Sequence, residues 1–279
     1  MPTIEIRGFT VVYELLGETG PVVAISPGGR RGLNSDRALG LLLAEAGFRA
    51  LVYDRRNTGA SDIAISGDNE SLEQARDLKA LLEALKIGPA YIAGCSSGSR
   101  LSLLLSLHYP EMVKALLLWR VTGGPYAAGR LAFNYYEQFI QAAAQGGIDG
   151  VCKTDHFAAL VAANPRNRGI LDAMGAEGFI AAMQRWRTGF AADRDHPVAG
   201  ISPAEMRRIT LPTLLVPGND RIHPRPPALA AHRLMPHSRY QEVLTYDLDV
   251  DVDFEGWEAA NPRLAAVFIN FLRDRERAG

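Results

Sequence analysis

The pentapeptide Gly94-Cys95-Ser96-Ser97-Gly98 places a serine between an apolar run, AYIA, and a leucine-rich one, SRLSLLLSLHYP. A strand entering and a helix leaving would hold Ser96 on a tight turn. Its flanking glycines permit close backbone packing, and the helix N-terminus supplies free N–H groups and a favourable dipole. Those are the needs of a nucleophile that attacks a carbonyl. The negative charge that develops must meet preorganised donors, normally backbone N–H groups, one of them from the residue after the nucleophile. Ser97 is that residue, and SPGGRRG (26–32) offers Gly28 or Gly29 for the second donor; Pro27 cannot donate. A glycine-rich turn that merely allows positive φ is the simpler account of the same stretch. A third segment, PGNDRIHP (217–224), carries Asp220 and His223. A histidine can take the serine proton while a carboxylate or a neighbouring carbonyl fixes its tautomer. The plainer roles are an N-cap or turn aspartate and a helix-start histidine.

The elements that must carry these residues follow from period and punctuation. Short apolar runs alternate with helix-like segments: PVVAIS (21–26), then 35–47, RALVYD (49–54), then 69–86, AYIAGC (90–95), then 97–108, and VKALLLW (113–119). This pattern predicts an α/β fold with right-handed crossovers and a mostly parallel sheet covered by helices on both faces. TIEIRG and TVVYELLG, split around Gly8, predict an antiparallel edge hairpin. Residues 129–208 read as amphipathic helices such as RLAFNYYEQFIQAAAQ, without a convincing strand. Alternation resumes with TLPTLLVPGND (210–220), a helix PPALAAHRLM, a strand RYQEVL (239–244) and a closing helix from Glu258 to Arg275. The acidic run DLDVDVDFE reads as a solvated loop. All three chemical segments then fall at carboxyl ends of strands, where open α/β sheets build their sites.

On GCSSG, GND and the segment YDRRNTGASD (53–62), which is similar to a D-x-R-G-x-G-x-S stretch after strand four, the chain resembles the α/β-hydrolase superfamily with a helical cap inserted after strand six. The resemblance covers nearly the whole chain. It implies an eight-stranded α/β-hydrolase fold, a core of 1–122 with 210–279, and a cap of 123–209. Asn57 stands where glycine is commoner, and SPGG replaces the usual His-Gly. The family order is Ser, Asp, then a His on the loop after strand eight. Here that loop, about Thr245 to Trp257, contains no histidine.

Topology sorts the six histidines. His108 lies about 18 Å down the helix that starts beside Ser96, and His232 and His237 lie at the opposite edge of the sheet. His223 is at the correct end, with strands five and seven about 9.6 Å apart if one strand lies between them. A triad whose acid and base share one loop would result. His156 and His196 in the cap, or the acidic Asp251 and Asp253, are the other candidates for the base. A carboxylate near pKa 4 serves poorly unless burial raises it. Arg120, at the end of strand six, could bind a substrate carboxylate or pair with an acidic loop.

Bulk properties bound the partners. Thirty basic and 31 acidic residues among 279 give a net charge of −1, which favours neither nucleic acid nor an anionic membrane. The N-terminus lacks the pattern of a signal peptide, no apolar run reaches the roughly 20 residues of a membrane span, and Cys95 and Cys152 make no disulfide framework or metal spacing. A cytoplasmic, cofactor-free, esterase-like hydrolase is expected, with a small-molecule substrate (a small hydrophobic ester, lactone, amide or ketone-type carbonyl) and scope for a homodimer through exposed cap surface. A lyase or isomerase using the same oxyanion pocket, or a non-catalytic binder, are the other readings.

Overall fold

The computed structural model describes residues 1–192 and 194–278. Its eight strands are β1 (Thr3–Ile6), β2 (Phe9–Leu16), β3 (Val22–Ser26), β4 (Arg49–Tyr53), β5 (Ala90–Cys95), β6 (Val113–Trp119), β7 (Thr213–Val216) and β8 (Ser238–Tyr240). They form one sheet in the order β1-β2-β4-β3-β5-β6-β7-β8, parallel from β4 to β8. The edge hairpin is as expected: Arg7 and Gly8 both take positive φ, 47° and 82°, the geometry of a two-residue turn matched to strand twist.

Helices α1 (Arg37–Glu45), α2 (Glu70–Ala84) and α3 (Ser97–His108) follow β3, β4 and β5. Between β6 and β7 lie α4 (Pro125–Ala132), a π-helical turn at Phe133–Glu137, α5 (Gln138–Cys152), α6 (Asp155–Ala163), α7 (Arg166–Ala192) and α8 (Pro203–Arg208). Among the described residues, no strand of the sheet comes from this segment. The chain closes with α9 (Arg225–Leu234), α10 (Phe254–Ala259) and α11 (Asn261–Ala278). Strands β3 to β7 are buried on both faces, which explains why they read as continuous apolar runs instead of alternating ones. One apolar cluster under the sheet gathers Leu78, Leu101 and Leu116; the other face packs Leu39, Leu117 and Phe268; a third cluster is centred on the inserted helices, with Tyr136, Phe139 and Trp186.

Two expectations need correction. The predicted strand 239–244 ends at Tyr240, although Val243 and Leu244 remain buried; Gln241 still donates its N–H to Leu215, and beyond it the chain leaves the sheet to build the loop described below. The closing helix also begins earlier, as α10, because Asp253 caps it by accepting the Gly256 N–H.

The register of the central strands decides the site. Cys95 pairs with Trp119 and Trp119 with Val216. The next residue of each strand, Ser96, Arg120 and Pro217, therefore emerges side by side at one edge.

Candidate active site

Ser96 sits at φ 51°, ψ −111°, a conformation that L residues rarely adopt and that costs roughly 1–3 kcal/mol. Its surroundings enforce that strain. A side chain at Gly94 would meet the Gly98 backbone, and one at Gly98 would meet the Ser26 and Pro27 backbone, so only glycines let β5 and α3 close on the turn. The Ser96 N–H donates to the Trp119 carbonyl at 3.1 Å, and Ser99 Oγ donates to the Gly94 and Trp119 carbonyls. Cys95, just before it, is 7% exposed, and burial pushes its thiol up to about 12; it remains an uncharged packing residue.

The loop after β7 brings the partners. His223 Nε2 lies 2.9 Å from Ser96 Oγ, and its Nδ1 lies 2.7 Å from Asp220 Oδ1. The same oxygen accepts the His223 backbone N–H at 2.8 Å. The D-x-x-H spacing thus closes a turn in which one carboxylate oxygen grips both the backbone and the ring of the residue three positions on. Gly218 is needed for that closure, since a Cβ there would collide with His223. An ionised carboxylate only accepts. Nδ1 therefore carries the ring proton, and the Nε2 lone pair receives the Ser96 hydroxyl. All three side chains are buried, with Ser96 at 5%, Asp220 at 3% and His223 at 4% exposure. Burial and then the nearby Arg120 charge push His223 down to about 4, against the contrary pull of Asp220. Burial opposes ionisation of Asp220, but its contacts with His223 and Arg120 hold its carboxyl well below the usual range.

Gly28 stands against the elbow: a Cβ built there would lie 3.3 Å from Ser96 Cβ. Ser97 is the first residue of α3, where N–H groups lack intrahelical acceptors. Gly29, at φ 56°, turns its carbonyl away to accept from Arg55 Nη2 at 2.7 Å and Ser97 Oγ at 3.2 Å. The segment YDRRNTGASD explains this bracing. Asp54 accepts from the Leu33 and Ala60 N–H groups, while buried Arg55 also bonds Gln74 and Ser97 Oγ. Asn57, where glycine is commoner, holds φ 62°, a conformation asparagine tolerates. Nothing in the spacing of this segment shows that it props the glycine loop.

The acidic run after β8 is largely exposed, as a solvated loop is, but it is also tied down. Asp247 pairs with Arg225, Asp249 with Arg221 and Asp251 with Arg130, and the Arg221 and Ile222 N–H groups donate to the Val250 and Asp251 carbonyls. Asn219 donates to Asp253 and accepts from Trp257 Nε1. The run is a strap tied to the β7 loop, and the Asp253 N–H donates to Asp220 Oδ2 at 3.0 Å. Arg120 Nη2 donates to that same oxygen at 2.8 Å. Arg120 therefore pairs with the acid of the site, the blander of its two expected roles, although it also lines the cavity above Ser96.

That cavity, about 290 Å³, is bounded near Ser96 by Trp119, Leu131, Tyr135, Ile222, Phe254 and Trp257. His156 and His196 are not among its lining residues. His156 packs on Phe139 and Phe157, with burial pushing it down to about 3. Asp251 is held by Arg130 and Tyr126, and Asp253 caps α10. Neither is placed as a base. Among the described residues no group of three or more metal-ligating side chains clusters, and no helix is long and apolar enough to cross a membrane.

Comparison with known proteins agrees with this architecture. Residues 21–122 match the family model of the α/β hydrolase fold. A 117-residue stretch is 28% identical to 2-hydroxy-6-oxo-6-phenylhexa-2,4-dienoate hydrolase of Comamonas testosteroni, and spans 41% of each chain. An 83-residue stretch is 37% identical to the 2-hydroxy-6-oxononadienedioate/2-hydroxy-6-oxononatrienedioate hydrolase of Burkholderia vietnamiensis, spanning 29% of each. The matches thus cover less than half of these relatives. The whole fold superimposes on a hydrolase from Pseudomonas aeruginosa PA01 with a TM-score of 0.67, at 22% identity over 97% of both chains. The chain has the α/β-hydrolase fold, and its residues 21–122 carry that family's sequence pattern.

Proposed function

We propose that this chain is a cofactor-free serine hydrolase of a small carbonyl compound, with Ser96 as nucleophile, His223 as base and Asp220 as the acid that orients it. The observation that carries the reading is the unbroken chain from Ser96 Oγ to His223 Nε2 at 2.9 Å and from Nδ1 to Asp220 Oδ1 at 2.7 Å. Ser96 Oγ attacks the carbonyl carbon as its proton passes to His223 Nε2. The oxyanion is met by the Ser97 N–H and the N–H of Gly28 or Gly29. The intermediate collapses, the leaving group takes the proton from His223, and an acyl-Ser96 ester remains. Water, deprotonated by the same imidazole, then releases the acid.

Residues 123–209 act as a cap over this centre, since Leu131 and Tyr135 line the cavity. The aromatic walls and modest volume favour a small hydrophobic or aromatic substrate, and the two similar hydrolases named above are named for 2-hydroxy-6-oxo acids. The test is intact-mass labelling with a fluorophosphonate, alongside hydrolysis of short aryl esters. Wild type should gain one adduct and turn over ester, and Ser96→Ala should do neither. A folded wild type that stays unlabelled and inactive on esters would sink the reading.

A further inference from the structure

We propose that Arg120 is a positioning residue: by holding the outer oxygen of Asp220 it leaves the inner oxygen to set His223 toward Ser96. The proposal rests on the roles just given to those three residues.

Asp220 divides its contacts evenly. Oδ1 accepts the backbone N–H and the ring N–H of His223, both from its own loop. Oδ2 accepts from Arg120 at 2.8 Å and from the Asp253 N–H at 3.0 Å, donors that belong to β6 and to the strap. The first pair shapes the loop internally, but it cannot fix the loop relative to β5, where Ser96 stands. Only the second pair ties the acid to other elements, and of the two only Arg120 grows from a strand end in register with the nucleophile's strand.

Arg120 is itself held firmly. Its N–H donates to the Val216 carbonyl, its backbone takes φ 54°, and its guanidinium lies 5.6 Å from the Trp257 ring and 5.9 Å from the Phe254 ring. A non-glycine residue kept at positive φ beside a site marks strain that the surroundings must impose. Its side chain is 5% exposed, so its charge is little screened.

The same guanidinium lies 3.3 Å from His223 Nδ1. Two effects of opposite sign follow. Arg120 orients the base, yet its charge penalises the imidazolium that forms as Ser96 attacks. The charged groups facing His223 are Asp220 on its own loop and Arg120 from β6. Asp36, which is under the influence of Arg31, Arg55 and Arg120, and Glu258 line the same cavity. Removing the Arg120 charge should therefore slow the serine and, at the same time, move the acid limb of its reactivity upward. A residue that only supports the fold would do the first without the second.

The experiment measures the rate of fluorophosphonate labelling at Ser96 from pH 3.5 to 9 for wild type, Arg120→Lys, Arg120→Gln and Arg120→Met, with circular dichroism to check folding. Arg120→Met should label about 10²-fold more slowly, the scale of a small misplacement of catalytic groups. Its acid limb should rise by about one pH unit, the effect of losing one nearby charge. Arg120→Gln, which keeps a donor without the charge, should show the same rise with a smaller loss of rate, and it carries the test if the Met variant does not fold. Arg120→Lys should keep the low acid limb. Wild-type rates and limbs in all three variants would overturn the proposal, as would slower labelling with an unmoved acid limb. A wild type that does not label would bring down the nucleophile assignment first and this inference with it, so the two failures are distinguishable.

Discussion

Two loops at the same edge of the sheet contrast in what they carry. The loop after β7, PGNDRIHP, is short, uncharged at its ends and buried at Asn219, Asp220 and His223. It holds His223, which meets Ser96, and Asp220, which meets His223. The strap after β8 is long, has an aspartate at every second position from 247 to 253, and is largely exposed. It brings no side chain within hydrogen-bond reach of Ser96 or His223. Its contribution is one backbone N–H to Asp220 and a series of ion pairs that fasten it to arginines of the β7 loop, α4 and α9. Under the roles proposed above, chemistry falls to the first loop and bracing to the second, although the α/β-hydrolase pattern would give the base to the second. A D-x-x-H turn makes this division workable, because one aspartate oxygen can fix both the backbone and the ring of a histidine three residues later. The strap is then free to serve as a wall of the cavity, through Val252 and Phe254.

The contrast can be broken most directly at the first loop. His223→Ala and Ser96→Ala should each lower kcat/KM on an aryl ester by about 10⁴-fold or more, the scale of losing a nucleophile or its base. Equal activity in His223→Ala would return the search for a base to the strap. Asp220→Asn should cost roughly 10³-fold or more, because an amide in that place can donate to Nδ1 and favour the wrong tautomer. Steady-state kinetics with an unchanged thermal melt would check it.

The pH dependence sharpens the same point. His223 must be neutral to accept the Ser96 proton, and it is pushed down to about 4. The acid limb of kcat/KM should therefore lie near pH 4, with activity retained through pH 5 and 6, where an unperturbed histidine would already be protonated. An acid limb near 6.5 in wild type would mean that the burial and the Arg120 contact seen here do not act on the working base.

Changes in the strap should matter less. Asp253→Ala removes the cap of α10 and the Asn219 partner but leaves the backbone donor, so kcat/KM should fall about 10-fold, measurable beside a modest loss of thermal stability. Asp251→Asn, at an exposed pair with Arg130, should change the melting temperature by no more than ~2 °C and activity hardly at all. If the strap changes proved as damaging as His223→Ala, the division between chemistry and bracing would be wrong.

Much of this was legible before the structure. The strand and helix alternation, the elbow at Ser96, the glycine loop and the Asp220–His223 pair are local patterns, each readable from a few consecutive residues. The placement of His223 needed only strand order as well, since β5, β6 and β7 are neighbours and their carboxyl ends align. DLDVDVDFE reads as a solvated loop and is largely exposed, but nothing local indicates that its aspartates pair with Arg130, Arg221 and Arg225, which lie 22 to 121 positions away. The run 239–244 has β-forming residues, but only Arg239 and Tyr240 of it pair with β7.

The sequence by itself determined what depends on short range: the period of the strands and helices, the glycines that a strained serine turn requires, and the three-residue spacing that lets Asp220 hold His223. The tertiary structure alone decided what depends on contacts between distant segments. It set Arg55 under the Gly29 carbonyl, Arg120 on the outer oxygen of Asp220 and the strap across the β7 loop. An arginine's partner is fixed by where the folded chain buries its charge, and burial is a property of the packed whole.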